Sequence, residues 1–78
     1  MARYFFDLIN GAGTNRDLEG QDMTSPEEIS REVSRILADI AQEEFPGRDG
    51  GMISVEVRDE QGRPVLAGHL SFRTHWYP

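Results

Sequence analysis

Residues 24–47 read TSPEEISREVSRILADIAQEEFPG, and this stretch decides the fold. Ile29, Val33, Ile36, Leu37, Ile40 and Ala41 recur at steps of three and four. At 3.6 residues per turn they form one apolar stripe, while Glu28, Glu32, Arg35, Asp39 and Glu43 face away. Both ends are marked. Ser25 can cap with its hydroxyl, Pro26 suits the first helical position, where no amide is needed, and Glu28 completes the S-x-x-E capping box. At the far end Pro46 cannot donate to the preceding turn and disfavours helical geometry at Phe45, and Gly47 follows. The pattern predicts one helix of roughly 20 residues, about 30 Å long at 1.5 Å per residue. One helix with one apolar side needs a surface to lie on.

The sequence on either side supplies strands. Arg3–Ile9, RYFFDLI, is rich in aromatic and branched residues. In a strand, Tyr4, Phe6 and Leu8 share one face while Phe5, Asp7 and Ile9 share the other, so both faces are partly apolar. Asn10–Gly13 is turn chemistry that returns the chain into a short second strand near Thr14–Asp17. Leu18–Gln21 turns again before Asp22 and Met23 lead into the helix cap. Beyond the helix, Met52–Asp59 alternates Ile53, Val55 and Val57 against Ser54, Glu56 and Arg58, as a half-buried strand does. Asp59-Glu60-Gln61-Gly62 signals a hairpin, and Val65 to about Arg73 returns with Leu66, Leu70 and Phe72 opposite Val65, Ala67, His69 and Ser71. Gly68 interrupts the stronger face, where Phe6 or a helix side chain has room to approach the backbone.

Two hairpins flanking one helix give an α+β, two-layer ββαββ domain, with the helix on a four-stranded antiparallel sheet. The expected strand order is 2-1-3-4, with 2-1-4-3 as the alternative. The expected core comprises Tyr4 or Phe5, Phe6, Leu8, Ile29, Val33, Ile36, Leu37, Ile40, Ile53, Val55, Val57, Leu66, Leu70 and Phe72. At 78 residues the chain is one domain, 1–78, globular over 1–75 with an aromatic tail at 76–78. A domain of this size is near the limit at which a single core suffices, and dimerisation is a common supplement.

Composition excludes several classes. There is no cysteine, hence no disulfide framework and no thiolate metal site. No apolar run approaches the ~20 residues of a membrane span, and the amino terminus lacks the basic and apolar regions of a signal peptide. A soluble, cytoplasmic protein is the expectation, with no membrane partner. The net charge of −6 comes from 14 acidic and 8 basic side chains, every basic one an arginine. Residues 17–44 hold nine of the acids against Arg31 and Arg35. No basic face is evident, so no nucleic-acid partner is expected unless the fold gathers Arg3, Arg58 and Arg73.

The chemistry-bearing patterns are thin. Asp17-Leu18-Glu19-Gly20-Gln21-Asp22 crowds carboxylates and invites a calcium reading. The calcium loop, however, needs glycine at its sixth place and glutamate at its twelfth; here glycine is fourth, and position twelve is Glu28, which capping already explains. His69 and His75 share parity on an extended chain, and nothing in the sequence nearby offers a third ligand or a nucleophile partner. Gly11-Ala12-Gly13 lacks a third glycine and falls in a hairpin, not before a helix. Neither a catalytic constellation, a metal nor a cofactor is expected.

The opening Met1-Ala2-Arg3-Tyr4-Phe5-Phe6-Asp7, the Arg16-Asp17-Leu18-Glu19-Gly20 turn, the acidic helix and the closing Val57-Arg58-Asp59-Glu60-Gln61-Gly62-Arg63-Pro64-Val65 hairpin together resemble a family of short, mostly alphaproteobacterial proteins catalogued as domain of unknown function 6894. The likeness covers nearly the whole chain, with His75–Pro78 outside it. No activity is assigned to that family, so the resemblance implies no functional residue.

Two classes of function remain. The first is a small non-enzymatic interaction module that associates with itself or another protein. Its expected interface is the sheet face away from the helix together with the tail: Phe5, Ile9, Val65, Ala67, Trp76 and Tyr77. A rival surface is the helix edge with Ser30, Ser34, Ala38 and Ala41, and a monomer results if Trp76 and Tyr77 fold back over the sheet. The second class is a small-ligand or effector-binding domain, or an enzyme using His69, Arg73 and nearby acids, which requires a deep polar pocket.

Overall fold

In a computed structural model that describes residues 2–78, Ser25 caps the helix as its sequence implies. Its side chain accepts from the Glu28 amide at 3.1 Å, and Pro26 occupies the first turn. The helix α1 is Pro26–Glu44, and the Phe45 amide closes its end on the Ala41 carbonyl. The strands are β1 Ala2–Asn10, β2 Gly13–Asn15, β3 Gln21–Met23, β4 Gly50–Arg58 and β5 Pro64–Arg73. Met1, which the single-domain reading included, lies outside the described residues.

The α+β architecture with one helix on an antiparallel sheet is as expected; the topology needs correction. The sheet has five strands, not four: its main path is β2-β1-β4-β5, and β3 pairs with the start of β1. The chain is therefore βββαββ, and the expected 2-1-3-4 order describes the path only once β3 is set aside. The second strand is also shorter and earlier than Thr14–Asp17, because Asp17 leaves the ladder to bond elsewhere. β2 and β3 lie along the same edge of β1, opposite residues 8–10 and 2–4 respectively.

Ile53, Val55 and Val57 of β4 are fully buried under Ile29, Val33 and Leu37, with Phe6 and Met23 completing the core. Tyr4, not Phe5, turns toward this core, and Leu8, Ile36, Ile40, Ala41 and Phe45 pack at its margin. Phe45 also meets Phe72 at 4.3 Å between ring centroids. Two expected core residues, Leu66 and Leu70, each remain 37% exposed. Their strand is the last in the sheet, so parity places them on the helix side while nothing covers them laterally.

Gly68 lies directly under the helix. A Cβ there would fall 2.5 Å from Val33 Cγ1 and 3.2 Å from Leu37 Cδ1, well inside the ~3.5–4.0 Å at which carbon atoms pack. The missing side chain is what allows the helix to settle onto β5.

Candidate protein interface

The face of the sheet away from the helix is polar at its centre. Asp7 on β1 lies beside Glu56 on β4, and Arg58 pairs across from Phe5. The Arg58 guanidinium donates to Asp7 Oδ2 at 2.9 Å and to the Asp17 carbonyl at 2.7 Å, and lies 4.6 Å over the Phe5 ring. That position is a cation–π contact. Phe5 is covered from a second side by Gly20, whose positive φ of 76° brings its backbone against the ring. Ile9 stands between Thr14 and Ser54. The expected apolar patch at Phe5 and Ile9 is thus interrupted by charge.

Asp17 organises the edge beside this cluster. Oδ2 accepts from the Phe6 amide at 3.0 Å, and Oδ1 accepts from the Glu19 and Gly20 amides at 3.1 Å each. Its own amide donates to Asp7 Oδ1 at 2.8 Å. Burial pushes the Asp17 carboxyl up, but the bonds from Phe6, Gly20 and Glu19 and the nearby Arg58 charge outweigh it and hold the group below the ordinary carboxylate range. The loop thereby fills the gap between β2 and β3, satisfying the β1 amide that neither strand reaches. Asp17, in the run whose calcium reading fails on its spacing, accepts these three amides, and among the described residues no three His, Asp or Glu side chains are grouped to hold a metal.

The opposite edge is different. β5 is ten residues long and, among the described residues, pairs only with β4. The Thr74 amide donates to the Asp49 carbonyl at 2.7 Å, and antiparallel ladders alternate. Even-numbered residues of β5 from Leu66 to Phe72 therefore bond inward, and Ala67, His69 and Ser71 direct their amides and carbonyls outward; Val65 is the unpaired residue at the register shift beside Val57/Arg58. Val65 is 46% exposed and Ala67 is exposed as well. Past Arg73, Trp76 and Tyr77 are 87% and 83% exposed, Tyr77 stacking edge-on with His75 at 4.7 Å. The tail does not fold back over the sheet.

Near the other end of β5 a pocket of about 590 Å³ opens under the start of the helix, lined by Ala2, Tyr4, Met23, Pro26, Ile29 and Leu66 among others. Every residue lining it is uncharged. The small-residue helix edge at Ser30, Ser34 and Ala38 is simply exposed.

One pairing escaped the sequence reading. Ser54 Oγ lies 2.8 Å from His69 Nδ1, although no nucleophile partner for His69 was expected. The hairpin register, Ser54 opposite His69, is the signal that could have found it. Among the described residues no carboxylate bonds to His69, and Ser54 is buried, so the pair lacks the orienting acid and the open nucleophile of an acyl-transfer site. Nor are the arginines gathered: Arg3 pairs with Asp22 at 3.3 Å and Arg58 with Asp7.

These features define a small one-helix antiparallel α+β domain, with one sheet edge made of two short strands and the Asp17 loop and the other of the single long strand β5. The chain belongs to the family described as domain of unknown function DUF6894, whose model matches residues 3–71. Comparison with curated proteins and with solved structures gave no match. No helix among the described residues is long and apolar enough to cross a membrane.

Proposed function

We propose that this chain is a small non-enzymatic interaction module that pairs with a second copy of itself along β5. The observation that carries the reading is the contrast between the two edges. On one side the unpaired groups of β1 are occupied by two three-residue strands and the Asp17 loop. On the other, β5 offers a ten-residue ladder with no lysine and with Arg73 as its only formal charge, at its very end. Proteins usually protect such an edge with charges, bulges or a covering element. Here only Pro64 and the irregularity at Val57/Arg58 do so, both at the hairpin end. A two-fold axis perpendicular to the sheet sets each outward amide of one β5 against a carbonyl of the other. Val65 and Ala67 lie along that seam, and Trp76 and Tyr77 continue from it; Phe5 and Ile9, two strands away, flank it on the outer face.

Light scattering tests this. The wild type is expected to be a dimer at micromolar concentration, and Ala67→Pro, which removes an outward amide and leaves the bonds to β4, is expected to be a folded monomer. Val65→Lys, which places a charge at the seam, serves as the second variant. A monomeric wild type, or folded variants that both remain dimeric, refutes the reading.

The second reading, a small-ligand or effector-binding domain, draws on the pocket beneath the helix, whose volume falls within the ~300–1,000 Å³ typical of ligand sites. Its lining carries no charged group to orient a ligand, so it ranks behind.

A further inference from the structure

We infer that in the β5-paired dimer the pocket beneath the helix start receives Trp76 from the partner's tail. This rests on the self-association reading and adds to it a specific anchor. Three observations converge. Among the described residues Trp76 is the most exposed large hydrophobic one, and it packs against no ring or core residue. The apolar pocket is flanked on β5 by Val65 and Leu66. Antiparallel pairing of two β5 strands brings the end of one beside the beginning of the other.

The register makes this concrete. With the two-fold axis at His69, Ala67 of one copy lies opposite Ser71 of the other, and Arg73 comes beside Val65 at the register shift. Trp76 follows three residues later, within about 10 Å of extended chain at ~3.3 Å per residue. Thr74 to Pro78 lie outside the strand, so the chain there is free of the ladder and can turn Trp76 to the helix side, where the pocket opens. A chain's own tail cannot make this contact. Arg73 stands eight residues from Val65, about 26 Å along the strand, and Thr74 to Trp76 cover less than half of that. The pocket and the tail of one molecule are therefore at opposite ends of the sheet, and two-fold pairing brings each to the other.

The chemistry matches. An indole is a large apolar body with one N–H, suited to an apolar site that also presents hydroxyls, and Tyr4, Thr24, Ser25 and Ser30 supply them among Met23, Pro26 and Ile29. Such a buried aromatic anchor at an interface is the kind of residue that dominates binding energy.

The chain has a single tryptophan, so its fluorescence reports this site alone. Emission of the full-length wild type is expected to shift to shorter wavelength, and acrylamide quenching to fall, as rising concentration, followed in parallel by light scattering, takes the protein from monomer to dimer. Trp76→Ala, which alters an exposed residue and leaves the fold intact, is expected to weaken dimerisation about tenfold or more. Ser30→Glu, at an exposed helix position lining the pocket, is expected to return the emission to the exposed value. A dimer whose tryptophan stays fully quenchable overturns the tail contact while leaving β5 pairing intact. A dimer undiminished by Trp76→Ala overturns it too. A protein monomeric throughout overturns both.

Discussion

Replacing Gly68 by alanine is expected to destabilise the domain by about 1–2 kcal/mol, although glycine in a strand is ordinarily the weaker choice. Alanine restricts the unfolded chain, and on that ground alone would stabilise by ~0.4–1 kcal/mol. The added methyl, however, would lie 2.5 Å from Val33 Cγ1. Relief requires the helix or the valine to move by about 1 Å to reach ordinary carbon–carbon separation. Overpacking of this kind costs ~1–3 kcal/mol, which exceeds the entropic gain. The assay is urea unfolding followed by far-ultraviolet circular dichroism at one fixed protein concentration, because any dimerisation makes stability concentration-dependent. Val33→Ala removes the obstructing methyl groups and by itself costs about 2 kcal/mol in lost burial and cavity. In the double variant the new methyl occupies part of that space, so the two losses are expected to fall short of additivity by ~1 kcal/mol or more. Gly68→Ala as stable as wild type, or strictly additive losses, would show that the helix does not rest on this strand as described.

Two further outcomes follow from the polar edge and the charge distribution. Asp17→Asn is expected to cost ~1.5–3 kcal/mol, since it turns an amide NH₂ toward at least one of the three backbone amides that the carboxylate accepts from. Because the folded Asp17 titrates below its ordinary value of 3.8, its contribution is complete above that value and disappears as pH falls through the lower folded value. Acid titration of wild type should therefore show a loss of stability below about pH 4 that is shallower in Asp17→Asn; identical acid limbs would contradict the assignment. Fluorescence anisotropy with labelled duplex DNA at near-physiological salt is expected to show no more binding than an acidic control, since Arg3 and Arg58 are each held by a carboxylate. Micromolar, salt-sensitive binding would contradict this.

How much the sequence disclosed depended on the range of the interaction. The helix was legible to within a few residues because its cap, stripe and stop are local. The β4–β5 hairpin was legible because period-two alternation and a turn signal are local too. β3 was not, because three residues form a strand only where the Asp17 loop carries them back to β1, and that bond joins residues eleven apart through a side chain. Leu66 and Leu70 were placed on the correct face but assigned too much burial, since alternation reports a face and not whether a strand is last in its sheet. Of the residues expected at an interface, Val65, Ala67, Trp76 and Tyr77 are exposed, as residues at or past the end of an edge strand are. The cover over Phe5 did not show in the sequence, because it comes from Arg58, fifty-three residues away and opposite only once the β1–β4 register is set. The pocket was equally invisible, being assembled from both ends of the chain and the helix start.

The closed edge at Asp17 also governs stoichiometry. A sheet open on both sides can add copies without limit, as fibres do, whereas contact through one edge about a two-fold axis uses that edge up in both copies. The proposed pairing along β5 would therefore stop at two subunits, since the far edge offers two three-residue strands and the Asp17 loop in place of a second long ladder.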